Sequence, residues 1–521
     1  MSAGQKAVKT VSVMLLLAFT AKILGFVREV MLAGYYGTSI QANAFQAASQ
    51  IPLSFFEISL GAAISSTFIP VFNEYFEKKG REKAYEFSQN FISLVALLAI
   101  VIALLGMVFA SPLITLITKG LTGPSHDLAV SLIRVMFPMI CFTAVAFSMV
   151  GILQSLGEFN IPATISVMSN AVVIVYFLFL NRTFGIFGLA IAVVIGWVLQ
   201  LCVLLPPLWQ RGFRFKIKLN IYDEGIKKVA RLALPVLVSA SALQINGLVN
   251  IFLSSYLNDG KAISAITYAN RLYLIIASVF TLVLTNYIFP ELSRMFVKKD
   301  TIGLENVINR SLRAVVVVIS PIMVIFLVLA VPIIRVAYER WEFTAQDTAL
   351  TATVLFFYAM GMLGFGLQEV LNKAFYAIQA STVPMRISVV GIAINIVLSI
   401  VLSQYMGIGG LGLAATISIY FIAICLIYAA KKRYSNILNA QVVRALLKMF
   451  IAALLMAVVS YFSYLFCLPM LGGKQLVSQM LILIVPSALG TTVYVIALWG
   501  MRVDEVTFML QLIQKKLRGK E

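Results

Sequence analysis

Apolar residues in this chain run in long blocks, neither striped as in an amphipathic surface helix nor alternating as in a half-buried strand. Bounded by charged or turn residues, the blocks fall at about 10–35, 40–75, 87–118, 128–155, 160–181, 184–206, 227–257, 263–293, 310–336, 347–378, 382–404, 408–430, 444–467 and 476–500. A helix crosses a bilayer with roughly 20 apolar residues. The pattern therefore predicts an all-α polytopic membrane protein with fourteen transmembrane helices.

The blocks are punctuated twice in the same way. Pro70-x5-Phe76-x-Lys78-Lys79 returns 220 residues later as Pro290-x5-Phe296-x-Lys298-Lys299. Pro162-x3-Ser166-Val167 and Gly185-Ile186-x-Gly188-Leu189 return 222 residues later as Pro384-x3-Ser388-Val389 and Gly407-Ile408-x-Gly410-Leu411. Order and spacing are both kept, and internal duplication in an apolar chain is a signature of secondary transporters. Each copy holds six blocks, an even number, so both enter the membrane in the same sense and should be related by a pseudo-twofold axis along the membrane normal. This gives an N-lobe at 1–208, a cytoplasmic interlobe linker at 209–226, a C-lobe at 227–431, two further helices within 432–501 and an amphipathic cytoplasmic tail at 502–521.

Composition narrows the class. Hydrophobic residues make up 61% of the chain, charged residues 12%, and mean hydropathy is +0.97, outside the range of soluble domains. Cys141, Cys202, Cys425 and Cys467 lie in apolar blocks without a CxxC pair and read as reduced core residues. His126 sits in a polar loop and reads as a surface residue. The first block contains Lys22, Arg28 and Glu29 and no small-residue cleavage site, so it reads as a retained span and not a signal peptide. With the amino terminus inside, cytoplasmic segments hold thirty Lys and Arg against six in external loops. This bias supports cytoplasmic termini. The net charge of +19 then follows from topology and attraction to anionic lipid, and speaks against nucleic acid as a partner.

Of the forty Lys and Arg, four are assigned to neither side: Lys22, Arg28, Arg134 and Arg271. A charge facing lipid costs several kcal/mol, so such residues are expected to face water or a partner. Lys22, Gly25 and Glu29 share a helical face, with Gly25 a place for the helix to bend, while Arg28 points about 120° from Lys22. Arg134 lies near the external start of the fourth block, where it could snorkel. The intramembrane acids are Glu29, Glu57 and Glu369, and Lys373, one turn beyond Glu369, suggests an i,i+4 ion pair. A cavity with a net positive field selects an anion. Arginine's planar fork suits phosphate or pyrophosphate.

These residues carry a family resemblance. Lys22-Ile-Leu-Gly-Phe-Val-Arg28-Glu29, Ala44-Phe45, Ile51-Pro52, Gly61-Ala62-Ala63, Phe68-Ile-Pro-Val-Phe-Asn-Glu-Tyr75, Tyr268-Ala-Asn-Arg-Leu272, Phe289-Pro290, Glu342-Phe-Thr-Ala345 and Phe375-Tyr-Ala-Ile-Gln379 resemble the MurJ (MviN) family of lipid II flippases, in the multidrug/oligosaccharidyl-lipid/polysaccharide exporter superfamily. The resemblance implies an alternating-access transporter, not an enzyme, in the bacterial cell membrane. Its cargo would be the undecaprenyl-pyrophosphate-linked peptidoglycan precursor, carried from the inner to the outer leaflet by a monomer without cofactor. It implies a substrate site at Lys22, Arg28 and Arg271, with Asn43, Glu57 and Arg134 as further candidates, and a lipid-tail groove formed by the last two helices. The drive would be membrane potential or, in some members, sodium. Asn43 and Asn270 stand where the family commonly has Asp, and the eleventh block offers Asn395 and Ser399 without an acid, so a carboxylate sodium site is in doubt. The alternatives are a flippase for another lipid-linked oligosaccharide and a multidrug antiporter. An antiporter would want twelve spans and a cation-trading carboxylate. A membrane enzyme would want catalytic acids or a histidine in a large external loop, and an ATPase a GxxxxGK[ST] loop. The sequence offers neither.

Overall fold

The computed structural model describes residues 3–61, 64–471 and 475–503; the expected amphipathic tail beyond Val503 lies outside the described residues. Packing divides the chain into two compact units, one up to Ser264 and one from Ala265 onward.

In the first unit, α1 (Ala3–Tyr36) is followed by α2 (Ile40–Phe56), two π-helical turns (Glu57–Gly61 and Ile64–Phe68), α3 (Ile69–Val108), α4 (Ala110–Ile117), α5 (Pro124–Met136), α6 (Met139–Ser155), α7 (Asn160–Phe179), α8 (Asn181–Gln210) and α9 (Glu224–Ser255). Helix α1 packs on α7, α7 on α8, α2 on α5 and α3 on α6. Helix α9, the seventh block, packs on the π turns, α2, α3 and α4. Contact thus groups it with the first unit, whereas the repeat groups it by descent with the second copy. Close approaches are made where side chains are absent: Gly106 lies against the Phe137 ring, and Gly120 against the backbone of Ser255.

The second unit is built from α10 (Ala262–Val297), whose first residues precede the boundary, α11 (Thr301–Val328), α12 (Ala330–Tyr338), α13 (Ala345–Met360), α14 (Met362–Ala377), α15 (Thr382–Met406), α16 (Ile408–Arg433), α17 (Ala440–Leu471) and α18 (Leu476–Gly500). Val316, Val324, Met449, Met456, Tyr494 and Leu498 join α11, α17 and α18 in one core. The Tyr494 hydroxyl donates to Val317 O at 3.2 Å, as a buried tyrosine in an apolar core must.

The duplication reappears in the backbone. Helices α3 and α4 part at Phe109, and α11 and α12 part at Leu329, 220 residues on. Gly185 (φ 53, ψ −148) in the α7–α8 connection and Gly407 (φ 55, ψ −132) between α15 and α16 adopt nearly the same conformation, one that a Cβ forbids. Positive φ also recurs at Gly37 and Asn258, Gly80 and Lys299, and Gly157 and Gln379. At three of these places one copy has glycine and the other a residue with a side chain, both at positive φ.

Among the described residues, ten helices are long and apolar enough to cross a membrane, and α13 with α14, bent by 43°, makes an eleventh. The bend at Gly361 leaves carbonyls without helical partners, which matters most where water is scarce. Thr416 Oγ1 donates to Phe357 O at 2.5 Å and the Tyr420 hydroxyl to Met360 O at 2.8 Å. The three remaining predicted blocks are α1, the interrupted α2, and α9.

Candidate functional site

The first-unit site is built on α1. The helix is continuous through Gly25; lacking a side chain does not by itself break a helical hydrogen-bond ladder. Helix α7 packs beside it: Asn170 lies 3.6 Å from where a Gly25 Cβ would be, an ordinary contact distance, and its amide donates to Ala21 O at 3.2 Å. Lys22 is half-buried on this stretch. Two turns on, Arg28 Nη2 contacts Glu29 Oε1 at 2.9 Å. The partners differ in environment: the Glu29 side chain is 5% exposed and that of Arg28 30%. Gln46 Nε2 on α2 donates to the second Glu29 oxygen at 3.4 Å. A buried acid thus holds a cation at the edge of the accessible surface.

Asn43 is buried, and its hydrogen-bonding groups face backbone. Its amide donates to Thr38 O and Ser39 O, both at 2.7 Å, and its Oδ1 accepts from Ser264 N at 2.8 Å. It fastens the start of α2 to the chain entering α10. Glu57 opens the first π turn, with its carboxylate over Gly61, where a Cβ would meet Oε2 at 2.5 Å. Such turns interrupt helices at functional sites more often than elsewhere. Arg134 is exposed in the last turn of α5, where its charge also suits the helix dipole.

In the second unit, Arg271 is exposed on α10 between buried Tyr268 and buried Leu272. The ring centroids of Tyr338 and Phe343 lie 5.4 and 5.9 Å from that of Tyr268, and the Tyr338 hydroxyl donates to Tyr268 O at 3.2 Å. Thr344 and Asp347 close a capping box on α13. Two sequence segments some 70 residues apart, Tyr268–Leu272 and Glu342–Ala345, therefore meet in one aromatic cluster that sets the turn carrying Arg271.

One expectation changes in this unit. Glu369 and Lys373 do not reach ion-pair distance; the Lys373 ammonium lies over the Phe289 ring, 5.9 Å from its centroid, a placement open to a long flexible side chain. The apolar groove, about 850 Å³, is lined by α10 (Leu272, Ile276), α11 (Ile325, Phe326), α12 (Ile333) and one face of α18 from Leu483 to Ile496. Gly490 sits against Ser460, whose hydroxyl donates to Pro486 O at 3.2 Å, so α17 backs α18 and α18 faces the groove.

The oxygens of Asn395 and Ser399, one turn apart on α15, are buried without hydrogen-bond partners. They are oxygen donors, but no group of three acidic, histidine or cysteine side chains occurs among the described residues. A cation held there would lack a counter-charge. Asn395 and Ser399 do not fit a carboxylate sodium site.

A family profile described as lipid II flippase MurJ matches residues 32–481, most of the chain and both units. The chain belongs to the MurJ lipid II flippase family. It is therefore a transporter and not a catalytic enzyme. A probable lipid II flippase MurJ of Buchnera aphidicola subsp. Baizongia pistaciae is 28% identical over 451 residues, covering 86% of this chain and 88% of the relative. The Vibrio cholerae protein of the same description is 29% identical over 419 residues, covering 78% and 79%. In fold, the chain matches a lipid II flippase MurJ solved in an inward closed conformation, with a TM-score of 0.80 at 23% identity over 96% of this chain and 99% of that one. It also matches an inward-facing multidrug resistance MATE transporter of the MOP superfamily, with a TM-score of 0.68 at 15% identity over 81% and 98%. A multi-pass inner-membrane protein is what MurJ membership and the apolar helices require.

Gln46 was absent from the sequence candidates for the MurJ site. Its signal was available: a glutamine one turn after Asn43 in an apolar block.

Proposed function

We propose that this protein carries lipid II, the undecaprenyl-pyrophosphate-linked peptidoglycan precursor, from the inner to the outer leaflet by alternating access, with both termini cytoplasmic. The observation that carries the proposal is the Arg28–Glu29–Gln46 arrangement. Glu29 serves as a resident counter-ion, and the pyrophosphate displaces it from Arg28. Lys22 adds a second charge on the same helix, and Arg271 supplies the second unit's phosphate ligand. Asn43 positions the start of α2 without touching cargo, Glu57 lies on the π turn that moves, and Arg134 meets external headgroups. The groove on α18 takes the polyprenyl tail, since its wall is apolar and its residue Leu272 directly follows Arg271.

Membrane potential supplies the drive. Each negative charge leaving an inside-negative cell gains about 2.3 kcal/mol per 100 mV, and no cation site is then needed. Native mass spectrometry of the detergent-purified protein tests the reading: an undecaprenyl-pyrophosphate lipid of lipid II mass should accompany the wild type and be depleted in Arg28→Ala. Another lipid-linked oligosaccharide in its place would reassign the cargo. A lipid retained fully by Arg28→Ala would remove the proposed site.

A further inference from the structure

Between α8 and α9 the chain runs from Phe213 to Asp223 without helix, yet it is held firmly along its backbone. Gln89 Nε2 donates to Arg214 O at 2.7 Å, Lys218 N donates to Ser93 Oγ at 3.1 Å, and Asn90 exchanges two bonds of 2.8 Å with Asn220. Phe213 packs edge-on against Tyr85. The side chains beyond it are left outside: Phe215 is 43% exposed, Ile217 79%, Leu219 56% and Ile221 59%. Arg214, Lys216 and Lys218 alternate with them, and no acid occurs between Arg211 and Asp223.

The same fastening occurs in the second unit without this strip. Asn309 donates to Asn436 O at 2.9 Å and accepts from Leu438 N at 3.0 Å. There the connection is short and its Ile437 is fully buried. Fastening two helices therefore does not require exposed isoleucines.

The anchors set the depth of the strip. Gln89, Asn90 and Ser93 lie on the first turns of the apolar block that begins near residue 87, which is where headgroups meet acyl chains. Trp209, 46% exposed just before the strip, is the residue type that favours this layer, and Arg214 lies over its ring, 5.6 Å from the centroid. Water alone would make four exposed apolar side chains unfavourable; a lipid boundary removes that cost, and anionic headgroups answer the cations.

We propose that residues 214–222 form a docking element for an anionic lipid surface. Phe215, Ile217, Leu219 and Ile221 enter the headgroup–acyl boundary of the lysine-rich side, and Arg214 and Lys216 bind lipid phosphates. Lys218 contributes less, because its ammonium lies 3.3 Å from Glu86. The leaflet's name rests on the proposed orientation; the lipid contact does not.

The test places photo-crosslinking benzoylphenylalanine at position 217 of the full chain in nanodiscs of phosphatidylcholine with or without phosphatidylglycerol. Lipid adducts at 217 are expected, several-fold more abundant with phosphatidylglycerol, and Arg214→Gln with Lys216→Gln should cancel that preference, each cation being worth about five-fold. The same probe at exposed Glu77 should give no lipid adduct. Absence of lipid adducts at 217, crosslinking to protein in their place, or equal yields in the two membranes would each overturn the proposal. None of these readouts depends on which lipid the protein transports.

Discussion

Phe109 and Leu329, Gly185 and Gly407, Asn90 and Asn309 occupy matching places in the two copies and do matching work: they break, turn or fasten the chain. The cations do not match. Lys22 and Arg28 lie on the first helix of the first copy, whereas α9, the first helix of the second, has Gln244, Asn246 and Asn250. The difference teaches where each kind of information is stored. A positive φ is kept at these places through a change of side chain, as at Asn258, Lys299 and Gln379. A membrane charge stands or falls with one residue and its counter-ion.

The largest effects should come from breaking the asymmetry. Arg28→Ala or Arg271→Ala is expected to abolish complementation of a flippase-depleted strain with membrane levels unchanged, and Arg28→Lys to restore only part, because the planar fork is lost. Normal growth of both alanine variants would show that the unmatched charges are not the chemistry.

Next come the matched glycines. Gly185→Ala and Gly407→Ala should each destabilise by about 1–3 kcal/mol, the cost of a side chain in that backbone region, with nearly equal falls in melting temperature. A fall in only one of them would end the equivalence of the two turns.

Smaller losses are expected at the fasteners. Asn90→Ala or Asn309→Ala removes two hydrogen bonds to a connecting segment, about 1–3 kcal/mol if backbone groups are left unpaired. Hydrogen exchange should speed up around 218–220 in one variant and 436–438 in the other. Exchange spreading through a whole unit would mean that these residues do more than tie a loop.

Glu29→Gln should have the mildest effect and the opposite sign. Without its counter-ion Arg28 should bind a soluble pyrophosphate probe roughly three- to ten-fold more tightly, matching an ion pair of about 1 kcal/mol. Unchanged or weaker binding would contradict a resident anion that substrate displaces.

Much of the fold was legible because bilayer crossing imposes a length and a composition on every segment. The blocks, their duplication and the membership of Lys22, Arg28 and Arg271 in apolar segments could all be read from residue order. Gly25 shows a limit: the sequence places a glycine in the first helix, and only the tertiary structure sets Asn170 of α7 beside it. Lys373 shows another, since sequence spacing favoured Glu369 while packing offered the Phe289 ring.

By itself, then, the sequence determined the membrane class, the fourteen apolar blocks, the repeat and the residue types able to hold an anion. These depend on local composition and on spacing along one helix. Tertiary structure alone decided that Glu29 is buried beside Gln46 while Arg28 stays accessible, that Asn43 serves the backbone, and that one face of α18 lines an apolar groove with α10, α11 and α12. Each is a contact between segments distant in sequence, and such contacts follow from how helix surfaces fit together, which no periodicity within one segment records.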